Sequence, residues 1–134
     1  MDKLLVIFIA ATLGMGIGAL WYGPLFGKQW LRPMGMTKED MVGAKKSGMV
    51  KNYILAFAGE FLTAYVLWYI INLTGSYALS IMTGLIFWLW LGFSAPPALD
   101  KVLWERKPWA IFFLNASHGL VKLLAMGFAI IYLI

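Results

Sequence analysis

Residues 53–95 read YILAFAGEFLTAYVLWYIINLTGSYALSIMTGLIFWLWLGFSA. Two apolar runs, residues 53–73 and 77–95, flank the turn TGS. Each has about the 20 residues that an α-helix needs to cross a bilayer. The turn is too short for anything but an antiparallel hairpin. Trp and Tyr recur near the ends of both runs, as in interfacial belts. Working outward, two more such runs appear, residues 4–22 before the pair and residues 109–133 after it. The expected fold is therefore all-α, an integral membrane bundle of four transmembrane helices in one domain, residues 1–134.

Composition agrees. Hydrophobic residues make up 62% of the 134-residue chain and charged residues 13%. A soluble domain has about 45–50% apolar and about 25% charged residues. The expected principal partner is thus the lipid bilayer. The net charge of +5 does not imply nucleic acid, because the basic residues gather in two loops. No cysteine is present, which excludes disulfides, thiolate catalysis and cysteine-based clusters. The first run has no clear small-x-small cleavage site and reads as a retained helix.

The loops, residues 23–52 and 96–108, fall on one side of the bilayer. They hold Lys28, Arg32, Lys38, Lys45, Lys46, Lys51, Lys101, Arg106 and Lys107, against Lys3 alone on the other side. The positive-inside bias then puts both loops in the cytoplasm of a cell-membrane protein, with both termini outside. TKED, residues 37–40, reads as a loose capping box opening a short surface helix. The sequon at Asn72 lies too close to the membrane to be a good acceptor.

Residues 20–23 (LWYG) and 89–92 (LWLG) match, and prolines and then a tryptophan follow each. Glu60 and His118 take equivalent places in the helix after each. These likenesses are compatible with two parallel two-helix repeats. Ala10, Gly14 and Gly18 stand four residues apart, a small-xxx-small ridge for close helix packing. Internal packing is the favoured reading over a dimer interface. Gly119 and Ala129 fall on the same side of the last helix as Asn115.

That last helix carries Asn115, His118 and Lys122 within an arc of about 60°. Lys122 is near its middle, where snorkelling is difficult. An unpaired ammonium at mid-bilayer costs about 2.5–3.5 kcal/mol or more. Glu60 is the only acidic residue deep within any span, at a depth matching His118. It is expected to contact His118, Lys122 or both, with Thr63 and Asn115 completing the hydrogen bonding of a buried polar network. A second cluster, Trp104, Glu105, Arg106 and Lys107, marks the cytoplasmic mouth. It reads first as a headgroup anchor and otherwise as a gate or anion site.

No metal site and no cofactor is expected, since one histidine cannot make a multi-histidine centre. Ser117 beside His118 is not a dyad, because helix neighbours diverge by about 100°.

The segments GALWYGPLFGKQWLRPMGMTKED, WLWLGFSAPPALDKVLWERKPW and FLNASHGL resemble the DUF1761 family of small membrane proteins. The likeness rests on Trp21-Tyr22 with Phe26 and Trp30, Gly92-Phe93, Trp104-Glu105 with Pro108, and Asn115 with His118. It implies a four-helix membrane protein and no activity. The pairing of Glu60 with Lys122 rests on geometry alone and not on the resemblance. Three functions stay open. The first is a small transport or permeation module, as a homo-oligomer with a dimer favoured. The second is a structural or accessory subunit. The third is a membrane enzyme or cofactor-binding protein using His118, with Trp104 to Lys107 at the substrate mouth.

Overall fold

The computed structural model of the chain describes residues 2–25 and 49–134. Those residues are helical and contain no strand. Helix α1 is Lys3–Leu20, continued by a π-helical turn at Trp21–Leu25 that kinks at Gly23. Then come α2 (Met49–Thr74), α3 (Leu79–Phe93), α4 (Ala95–Trp104) and α5 (Trp109–Leu133). The proposed surface helix after TKED lies outside the described residues.

Proline placement explains the boundaries. Pro96 and Pro97 occupy the first turn of α4, where their missing N–H groups cost nothing. Pro108 caps α5. Helix α2 ends in a Schellman turn: Gly75 takes φ +67°, and the Ser76 N–H donates to the Ile71 carbonyl at 3.0 Å. The Tyr77 hydroxyl donates to Asn72 Oδ1 at 2.8 Å, so the sequon side chain is engaged in the turn.

Residues 96–104, expected as part of a loop, instead belong to helix α4, which opens at Ala95. It begins where α3 ends at Ser94, because the two prolines fit a helix start although they would break a helix interior. Together, residues 79–104 form a stretch long and apolar enough to cross a membrane, as do residues 3–23, 50–74 and 109–133.

Helix α1 lies between α2 and α5, and α3 packs on the other side of α5. Helix α4 touches both α3 and α5, while α2 and α3 scarcely approach each other. The core gathers Val6, Ile7, Ala10 and Ala11 of α1, Ala64, Leu67 and Ile71 of α2, Met82 and Ile86 of α3, and Met126 and Ile130 of α5. It is concentrated toward the end where α1 begins and the α2–α3 turn lies. Farther along, an apolar cleft of about 430 Å³ opens between α2 and α3, walled by Leu62, Thr63, Val66, Leu89 and Phe93 among others. The outer faces are apolar too: Trp88 is 69% exposed and Phe93 77%.

The pseudo-repeat is not reflected in the packing. A parallel two-fold would map the α1–α2 contact onto α3–α5, which is present, and the α1–α5 contact onto α3–α2, which scarcely touch.

Small residues set the approach of α1. A Cβ on Gly14 would lie 2.3 Å from Met126 Cε and 2.7 Å from Glu60 Oε2. A Cβ on Gly16 would meet nothing within 4 Å. Gly127 does the same for α3 and α5: a Cβ there would lie 2.3 Å from Ile86 Cδ1. Gly14→Val is expected to lower stability by about 1–3 kcal/mol through overpacking. Gly16→Val should stay within about 0.5 kcal/mol of the parent. Thermal unfolding of both variants in detergent checks the contrast, and equal losses would place α1's packing face elsewhere.

Candidate functional site

Glu60 projects from α2 and Lys122 from α5, and both reach the flank of α1. Lys122 Nζ lies 3.3 Å from Glu60 Oε1. The expected partnership of Glu60 therefore falls to Lys122. The two side chains keep 16% and 20% of their surface, so the pair is largely enclosed and not fully buried. Ser76 is the only polar side chain in the buried class among the described residues. Oxygen Oε2 of Glu60 is itself buried, faces Gly14 and has no hydrogen-bond partner among the described residues.

His118 sits one turn before Lys122 on α5. Its Nε2 is likewise buried without a hydrogen-bond partner among the described residues. It faces Gly18, 3.5 Å from where a Cβ would stand. Two rings box the imidazole, Tyr22 at 5.0 Å edge-on and Trp21 at 6.4 Å.

Those rings come from the π-helical turn. The kink there, with Gly23 at the non-helical φ −111° and ψ −105°, re-aims the chain after α1, and Trp21 and Tyr22 lie against α5. The Trp21 Nε1–H donates to the Leu114 carbonyl at 3.1 Å. The Tyr22 hydroxyl donates to Asn115 Oδ1 at 2.5 Å. From the opposite side, Trp90 Nε1–H donates to the Ala116 carbonyl at 2.7 Å. Two matched tryptophans thus grip adjacent stretches of one helix.

The single network expected from the sequence is therefore corrected. Glu60–Lys122 and Tyr22–Asn115 are separate pairs, with His118 between them along α5. Asn115 does not serve Glu60, because Tyr22 holds it. Thr63 lies on the wall of the α2–α3 cleft. Ser117 Oγ donates back to the Phe113 carbonyl at 2.5 Å, a helix-internal bond that leaves it no role as a nucleophile.

Of the ridge residues, Ala10 and Gly14 are buried and Gly18 half-buried. Sequence reasoning missed Trp21, Tyr22 and Trp90 as donors. The signal was present in LWYG and LWLG, whose likeness to each other and to the family pattern says nothing of hydrogen bonding.

The second cluster ends α4. Trp104 is 81% exposed and shares a shallow cleft of about 370 Å³ with Pro97, Asp100, Lys101 and Glu105. Arg106 adopts φ 54° just past the helix end, and Lys107 is half-buried. No group of three or more metal-ligating side chains gathers among the described residues.

A double-mutant cycle measures the ion pair. Glu60→Gln and Lys122→Met are each expected to lower stability, since each leaves an enclosed charge without its counter-charge. The double variant should lose less than the sum, with a coupling of about 1 kcal/mol or more. Additive losses in thermal unfolding would mean that the pair contributes nothing.

The family model described as "Protein of unknown function (DUF1761)" matches residues 5–131. No curated protein and no solved structure matches the chain.

Proposed function

This chain belongs to the DUF1761 family, and because no activity is assigned to that family we propose one from the site alone: a small multi-pass membrane protein acting as a transport or permeation module, with Glu60, His118 and Lys122 as its coupling site. The observation that carries this reading is the Glu60–Lys122 ion pair, set midway along helices long enough to span a bilayer. Charges at such a depth are costly and mark pathways more often than scaffolding. The reading is supported by two buried polar atoms, Glu60 Oε2 and His118 Nε2, that make no hydrogen bond among the described residues.

The exposed apolar faces support the bilayer as surrounding solvent. The distribution of Lys and Arg supports cytoplasmic loops and external termini. Four helices enclose little aqueous volume, so the module is taken to work as a homodimer. Trp104 and the basic residues beside it would then anchor the cytoplasmic end at headgroups.

A structural role is the second reading. The indole and tyrosine bonds to α5 favour it, because they fix helix register as buried polar groups do elsewhere.

Flux separates the two. The protein is reconstituted in liposomes and challenged with gradients of protons, sodium and potassium. The expected result is flux of one of these ions, abolished in Glu60→Gln and retained in Tyr22→Phe. Absence of flux in the parent, with lowered stability in Glu60→Gln, would leave the structural reading.

A further inference from the structure

We infer that Glu60 Oε2 and His118 Nε2 hold a water molecule between them in the glycine groove of α1, and that the ion this site moves is a proton. The inference rests on the transport reading above and names its ion.

The groove is defined by two glycines one helical turn apart. Glu60 Oε2 stands 2.7 Å from the Cβ position of Gly14, and His118 Nε2 stands 3.5 Å from that of Gly18. Four residues of helix rise about 6 Å. One water reaches about 2.8 Å to each side. Both atoms are buried and make no hydrogen bond among the described residues, and a buried polar atom left in that state destabilises the fold. A water donating to the carboxylate oxygen and exchanging a hydrogen bond with the imidazole satisfies both at once. Larger side chains at positions 14 and 18 would fill the space it needs.

The donor set selects the ion. Calcium needs six to eight oxygen ligands, and magnesium a near-ideal octahedron. No group of three metal-ligating side chains gathers among the described residues. Lys122, 3.3 Å from the same carboxylate, repels a metal cation from it. A proton needs only a donor and an acceptor in line.

The titratable groups around His118 are few. Glu60 comes from α2, Tyr22 from the π-helical turn and Lys122 from α5 itself. Helix α3 carries none, and α4 carries Asp100 and Lys101. The relay runs along the groove through His118, the water, Glu60 and Lys122, and Tyr22 takes no part in it. As Nδ1 of His118 takes up a proton from water on its own side, Nε2 gives its proton to the bridging water, and that water gives one of its own to Glu60 Oε2. The carboxyl becomes neutral, and Lys122, without its counter-charge, releases a proton to water toward the opposite end of the helix. The carboxyl then turns its protonated oxygen toward Lys122, the proton passes to the neutral Nζ and restores the ion pair, and the imidazole turns over to restore Nε2–H. One proton has entered at His118 and one has left at Lys122, and only O–H and N–H bonds have changed.

The test exploits the single histidine in the chain. Protein labelled with nitrogen-15 histidine in lipid bilayers gives one imidazole pair of signals, all from His118. Water-edited solid-state NMR should show transfer from a bound water to that ring. Gly18→Ala is the decisive variant. Its methyl meets Nε2 at ordinary contact distance, alters no charge and favours helix, so the fold should persist. The water signal should disappear in it, and proton flux in liposomes should fall to the level of empty vesicles. No water transfer in the parent protein would overturn the bridge, whatever the flux result. Proton flux unchanged in Gly18→Ala would overturn the relay. Glu60-dependent sodium or potassium flux without proton flux would overturn the choice of ion while leaving the transport reading in place.

Discussion

Close approach of α1 to its two neighbours is the constraint on which the rest depends. Ala10 and Gly14 have no bulk to hold α2 and α5 away. In an apolar surrounding the hydrophobic effect supplies no force between helices, so contact area and dispersion must. Drawing α2 and α5 onto one glycine face also brings Glu60 within reach of Lys122. The polar chemistry is thus a by-product of backbone proximity. Helices separated by larger residues would leave a carboxylate and an ammonium stranded on different surfaces.

The α5 helix is the second organising element. It receives α1 on one side and α3 on another, with Gly127 opening room for Met82 and Ile86. Trp21 and Trp90 place indole N–H groups on its Leu114 and Ala116 carbonyls. These bonds flank Asn115, which Tyr22 engages directly. The polar stripe of α5 is therefore positioned from two sides before any function is asked of it. The tight core at one end and the cleft between α2 and α3 at the other give the molecule unequal halves.

Much of this was legible in the sequence. The apolar runs gave four helices because length and hydropathy alone decide them. The pairing of Glu60 with Lys122 followed from depth matching, since a mid-helix ammonium has few possible partners. What was hidden depended on rotation about helix axes. Thr63 is three residues from Glu60, and periodicity does not say that it lines the cleft. Residues 96–104 read as a loop because two prolines and the charges of Asp100 and Lys101 mask a helix start. The kink after α1 is marked in the sequence by Gly23-Pro24, but that pair does not say where Trp21 and Tyr22 point. The likeness of LWYG to LWLG was visible, but shared letters did not mean equivalent partners: a repeat would send one tryptophan to α2, and both bond to α5.

The order in which contacts join the chain has a consequence for biogenesis. Helices α1 and α5 are the farthest apart in sequence, yet they form a principal interface. A ribosome delivers α1 first and must complete α5 before that interface can close. Until then the glycine face of α1 is unoccupied on one side, and Glu60 has been delivered without its counter-charge. The α2–α3 turn, closed by local hydrogen bonds around Gly75, needs no such wait. Nascent chains stalled before Lys122 would therefore present a formed hairpin beside an uncommitted first helix, a species suited to capture by quality-control proteases.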